Sequence, residues 1–143
     1  MNEYKFQDVS VGLEEQFEVI ITEEMMNGFG ELTGDINPMH VDIDYAQKYG
    51  GMKDRIVYGM LTASFYSTLV GMYLPGKYAL FEKCDVSWPS PCYIGDKLTV
   101  FGRVSDVNSL FSRITIKAYI ANQQGKKISR AILTVGFTGE GTA

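Results

Sequence analysis

Two side chains in this sequence have the types and the spacing for proton transfer. Asp35 and His40 lie five residues apart in Leu32-Thr33-Gly34-Asp35-Ile36-Asn37-Pro38-Met39-His40, and His40 is the only histidine in the chain. A carboxylate and an imidazole have different pKa values, so a pair held together can take and return a proton near neutral pH. Such a pair needs a stiff support, and the stretch supplies one. Pro38 fixes its own φ and pushes Asn37 out of the helical region. Gly34 permits a left-handed turn or a close approach that a side chain would block. Asp35 and His40 are therefore expected on a bent, extended loop, with both side chains free to point the same way. Thr-Gly-Asp-Ile-Asn-Pro is also good turn chemistry in its own right, so the meaning of the loop depends on its surroundings.

The next candidate is Gly59. It opens Val57 to Leu74, eighteen residues without a charge, and no Ser, Thr, Asp or Asn stands at the adjacent cap position. An uncapped helix start leaves backbone N–H donors for a ligand that carries or develops negative charge; glycine is also an acceptable N-cap by itself. Asp42 and Asp44 near Asp35 and His40 suggest a metal site at first sight, but acidic residues in a first helical turn suit the helix dipole without one. Cys84 and Cys92 form no Cys-x-x-Cys pair, and one histidine makes no zinc set. The expectation is no metal, no cofactor, and two free cysteines of core type in a reducing cytoplasm.

These groups need elements to position them. After an irregular lead-in, Glu14 to Ile21 alternates around Phe17, Val19 and Ile21 as a strand. Thr22 caps a helix that carries Met25, Met26 and Phe29 inward and ends at Gly34. Asp42 caps a short helix, Ile43 to Tyr49, stopped by Gly50-Gly51. Val57 to Leu74 has the length of a membrane span, yet Thr62, Ser64, Ser67 and Thr68 interrupt it and no basic residues flank it. It reads instead as a helix enclosed on nearly all sides. Four strands follow: Tyr78 to Trp88, Lys97 to Val104, Arg113 to Ala121 and Ile128 to Phe137, expected in meander, with Gln124-Gly125-Lys126 as a hairpin turn.

The chain has 143 residues, enough for one domain, 1–143. Hydrophobic residues at 45% and charged residues at 21% place it among globular chains. A net charge of −4 without a Lys/Arg run argues against nucleic acid as a partner. Met1 to Phe17 is polar, unlike a signal peptide. The predicted order suits an α+β fold, in which an antiparallel sheet of about five strands wraps a long apolar central helix.

The loop resembles the signature of the MaoC-like, (R)-specific enoyl-CoA hydratases. That signature runs from an aromatic residue through a small residue, Gly-Asp, any residue, Asn-Pro, an aliphatic and His to Ala or Ser. Here it reads Phe29, Thr33-Gly34-Asp35, Asn37-Pro38, Met39-His40 and Ala46. Val57 to Ser64 and Gly95-Asp96-Lys97-Leu98 extend the likeness. Met39 replaces the usual Leu-like residue, and Tyr58 the common His. The resemblance implies the hotdog fold, a homodimer with the ligand tunnel near its interface, and hydration of trans-2-enoyl thioesters of CoA or acyl-carrier protein to (R)-3-hydroxyacyl thioesters. It implies Asp35 and His40 as the catalytic pair and the Gly59 N–H on the thioester carbonyl. Asn37, Tyr58 and Ser67 are expected to support them. Ser67 matches a family serine that faces the carboxylate; a helix serine bonded to its own backbone is the alternative. Counting along the helix from Gly59, Ala63, Ser67 and Val70 fall on one face. They are expected to line an acyl pocket in which Val70 limits chain length. A hotdog acyl-thioesterase and a non-enzymatic acyl-thioester binding module are the rival readings.

Overall fold

The computed structural model of the chain describes residues 1–142. Period-two burial builds five strands: β1 (Glu14–Ile20), β2 (Ala79–Ser87), β3 (Lys97–Asn108), β4 (Arg113–Ala121) and β5 (Lys127–Phe137). They form one antiparallel sheet in the order β1-β3-β4-β5-β2. The inward positions are β-branched or leucine. Val100 faces Ile120 across β3 and β4, Ile116 faces Leu133 across β4 and β5, and all four are fully buried. A half-buried surface of this kind is what such side chains fill best.

The expected meander holds for β3, β4 and β5 but not for β2, which pairs with β5 on the far edge instead of with β3. Pro89 and Pro91 prevent a tight hairpin out of β2, and the chain from Trp88 to Asp96 crosses to the other end of the sheet. β3 also runs on past Val104 to Asn108, through a register shift between Val104 and Asp106.

Four helices precede the sheet's second strand: α1 (Glu23–Thr33), α2 (Pro38–Val41), α3 (Ile43–Lys48) and α4 (Gly59–Thr68), the last continued by a π-helical turn, Leu69–Tyr73. The sheet wraps α4 and this turn, the arrangement of a hotdog fold. Tyr66 is fully buried, and its hydroxyl donates to Ser129 Oγ at 2.9 Å, which in turn donates to Ser87 O at 3.1 Å. The Tyr66 hydroxyl is thereby satisfied in the core, as is the buried Thr62 hydroxyl, which donates to Gly59 O at 2.6 Å. No helix is long and apolar enough to cross a membrane. Cys92 is buried, but Cys84 is exposed on β2 and is not a core cysteine.

Ala63, Ser67 and Val70 do not share an environment. Ala63 is half-buried, Ser67 is exposed, and Val70 is 1% exposed within the core. Val70 belongs to the π turn, which packs on the sheet. Its i→i+5 bond, from Leu74 N–H to Leu69 O at 2.8 Å, widens the helix where β1, β2 and β3 all pack on it. Leu69 and Val70 point into that packing, whereas Met72 on the same turn is 43% exposed. Val70→Phe should therefore overpack the core and cost about 1–3 kcal/mol. Urea unfolding of the two proteins checks this, and an unchanged midpoint would mean that open space lies beside Val70.

Candidate active site

The loop between α1 and α2 is held by its own short side chains. Thr22 caps α1, accepting from Met25 N–H at 3.2 Å. Gly34 ends α1 in the left-handed region at φ +75°, its N–H donating to Gly30 O at 2.8 Å. Beyond it, Asp35 N–H donates to Thr33 Oγ1 at 3.3 Å, Asn37 N–H to Asp35 Oδ1 at 3.1 Å, and Met39 N–H to Asn37 Oδ1 at 3.0 Å. Three consecutive turns of this type leave the backbone little freedom. Asn37 lies outside the helical region at ψ 133°, as the residue before proline must. The extended loop ends there. His40 belongs to α2, one turn of helix with Pro38 at its first position and Asn37 as its cap.

His40 is anchored from the other side. Its Nδ1 lies 2.8 Å from Ile56 O, and Ile56 N–H donates to Met39 O at 3.1 Å. A carbonyl oxygen only accepts, so Nδ1 carries the hydrogen. In the neutral ring Nε2 is then the unprotonated nitrogen, ready to take a proton.

Tyr58 joins the two groups. It is 3% exposed; its hydroxyl donates to the Asp35 carbonyl oxygen at 2.6 Å, and its ring centroid lies 4.0 Å from that of His40. Burial, and then the Asp35 charge, hold the phenol above its usual pKa, so it stays a donor. Phe29 packs on the ring, centroids 4.8 Å apart. Gly30 makes room for it: a Cβ there would stand 2.8 Å from the Tyr58 hydroxyl. Tyr58 is also the N-cap residue of α4, but its side chain gives no cap hydrogen bond to that helix.

Gly59 follows with the first turn of α4. A Cβ at this position would meet the Trp88 indole at 3.0–3.3 Å. Trp88 Nε1–H donates to Gly59 O at 2.9 Å and to Thr62 Oγ1 at 3.2 Å. A side chain here would crowd the indole, a reason for glycine independent of any ligand.

Phe29, Asp35, His40, Tyr58, Gly59 and Trp88 line one cleft of about 580 Å³. The structure brings together Asp35, His40, Tyr58 and Gly59 as the sequence predicts. Asn37 braces the loop from outside this cleft, and Ala63, Ser67 and Val70 are not among its lining residues. Sequence reasoning missed Trp88; the available signal was the chain's sole tryptophan at the end of an expected strand, before Pro-Ser-Pro. Asp42 caps α3, accepting from Tyr45 N–H at 3.1 Å. Among the described residues no three His, Cys, Asp or Glu side chains converge as a metal site would require.

The chain from residue 7 to 125 matches the MaoC like domain family. Over 94 residues, 66% of this chain, it is 37% identical to a Rhodospirillum rubrum protein named (R)-specific enoyl-CoA hydratase. It is 34% identical over 104 residues, 71% of this chain, to a Methylorubrum extorquens 3-hydroxybutyryl-CoA dehydratase. The chain spans under two thirds of the length of both relatives, 65% and 64%. Among solved structures, the (R)-hydratase from A. caviae superposes with a TM-score of 0.87 at 27% identity, covering 92% of this chain and 99% of that one.

The Tyr58 hydroxyl makes a measurable contribution in this arrangement. Tyr58→Phe removes one buried hydrogen bond and should cost about 0.5–1.5 kcal/mol. It should also speed amide exchange at Asn37 and Met39, whose bonds belong to the loop it ties down. Unchanged unfolding and unchanged exchange would show that the loop stands without it.

Proposed function

The chain belongs to the MaoC-like domain family, and on that premise we propose that it reversibly hydrates trans-2-enoyl thioesters to (R)-3-hydroxyacyl thioesters. The acyl group is carried on CoA or on acyl-carrier protein, and residues 1–143 act as one domain. The observation that carries this reading is the meeting, in one cleft, of Asp35, of His40 with its Nε2 uncommitted, and of the uncapped start of α4. The relatives' names point the same way.

The chemistry follows from the free positions. One Asp35 oxygen, Oδ1, accepts from Asn37 N–H, which leaves Oδ2 for a ligand. A water held between Oδ2 and His40 Nε2 gives up one proton to the pair as its oxygen bonds to the β-carbon. The carbon–carbon π electrons move toward the thioester carbonyl, forming an enolate. The Gly59 N–H, at the positive end of α4, stabilises that oxygen. The pair then returns one proton to the α-carbon, so no proton is consumed and no redox partner is needed.

A second copy of the chain completes the functional unit in this reading. β2 is a sheet edge with unpaired N–H and C=O groups, it carries Leu80 at 47% exposure, and it leads directly into Trp88. Pairing β2 with β2 removes the edge and places the interface beside the cleft. The unpaired state of Cys84 and Cys92 suits a reducing cytoplasm.

Crotonyl-CoA tests the reaction. Hydration removes the conjugated enoyl absorbance without releasing thiol; a thioesterase releases thiol, and a binding module does neither. Asp35→Asn and His40→Gln should each lower the hydration rate by about 10²–10⁴-fold with the fold retained. Near-wild-type turnover by the folded His40→Gln protein contradicts the site. Sedimentation at micromolar concentration should give a dimer, and Leu80→Lys should shift it toward single chains. A wild-type protein that sediments as one chain contradicts the pairing.

A further inference from the structure

A second cavity opens on the other side of Trp88. It measures about 390 Å³ and shares His40, Gly59 and Trp88 with the cleft that holds Asp35. Its remaining walls are mostly apolar, with Met52, Ile56, Val57, Pro91, Cys92 and Ile128 among them and Thr62 and Ser90 as the polar members. Burial pushes the Cys92 thiol up to about 12, so that wall stays neutral. Away from His40, Thr62 and Ser90 this lining suits an apolar ligand.

Trp88 lines both spaces; it is 41% exposed and held by hydrogen bonds from its N–H. Its N–H is shared between Gly59 O and Thr62 Oγ1, its ring lies against Gly59, and Pro89 follows it. An indole so held, shared by both spaces, limits what passes from one to the other.

We propose that Trp88 sets the acyl-chain length this protein accepts, as the constriction between the reacting carbons and an acyl pocket formed by the second cavity. The inference rests on the hydration reading for its direction. With the thioester carbonyl at the Gly59 N–H and the β-carbon near His40, the acyl chain starts among residues that line both spaces, and Trp88 lines both as well. Each further methylene has to pass the indole into the apolar space. Contacts of this kind discriminate by about 10–200-fold per methylene.

The test is a graded series, Trp88→Phe, Trp88→Leu and Trp88→Ala, assayed with crotonyl-CoA and octenoyl-CoA. The ratio of kcat/KM for octenoyl over crotonyl should stay near wild type in the Phe protein, which keeps an aromatic plane. It should rise through Leu to at least about tenfold in Ala. If the Ala protein fails to fold, the Phe and Leu proteins still have to show the ordered change. A ratio that stays flat across the folded variants overturns the proposal. The Kd values of the saturated octanoyl-CoA and butyryl-CoA, measured by calorimetry on the same proteins, read the pocket without chemistry. A wild-type protein that hydrates neither substrate refutes the hydration reading; the constriction then stands or falls on whether the Kd ratio changes along the series.

Discussion

The bond from His40 Nδ1–H to Ile56 O, 2.8 Å long, is the contact on which the site depends. It ties the end of the α1–α2 loop to the segment that enters α4, so the two halves of the cleft cannot drift apart. Ile56 is itself held by the sheet side of the molecule. It bridges to Tyr93, and Val57 N–H donates to Cys92 O at 2.8 Å. Tyr93 N–H donates to Asp96 Oδ2 at 2.9 Å, and Gln123 Nε2 donates to Asp96 Oδ1 at 3.0 Å. Asp96, 6% exposed, is thus a buried carboxylate satisfied by two donors, and it explains the Gly95-Asp96 pair before β3 as a bracket. The imidazole is positioned by a chain of bonds that begins in the sheet.

The same contact decides the protonation chemistry. A histidine with both nitrogens exposed has two tautomers to choose between; one with Nδ1–H committed to a carbonyl presents Nε2 alone. Tyr58 adds to this from beneath, packing on the ring while its hydroxyl holds the Asp35 backbone. The Tyr58 side chain makes no cap hydrogen bond to α4, so the first N–H groups of that helix gain no side-chain acceptor from it. Tyr58 in place of the family's usual histidine therefore acts as a brace, and the α4 dipole remains available to a ligand.

The local chemistry of the loop was legible because it is local. Gly34, Asp35, Asn37 and Pro38 each act on neighbours within three residues, and the caps at Thr22 and Asp42 follow the same rule. The uncapped start at Gly59 was equally plain. What periodicity does not carry is partnership. β2 alternates like any strand, yet its pairing with β5 depends on the path from Trp88 to Asp96. Helical arithmetic placed Val70 beside Ser67, but Val70 lies in the π turn where three strands pack and is buried, while Ser67 is exposed. Trp88 was hidden for the same reason: its neighbours Gly59 and Thr62 are distant in sequence. Gly30 sits inside α1, where glycine costs helix stability, and the Tyr58 hydroxyl beside it shows its use.

The single histidine allows the central claim to be read without assignment ambiguity. Nitrogen-15 chemical shifts of the His40 ring, recorded at a pH where the ring is neutral, distinguish a protonated from an unprotonated ring nitrogen. Nδ1 should carry the proton and Nε2 should be bare, with a slowly exchanging Nδ1–H resonance from its bond to Ile56. A neutral ring protonated at Nε2 would remove the proton acceptor from the cleft and contradict the account.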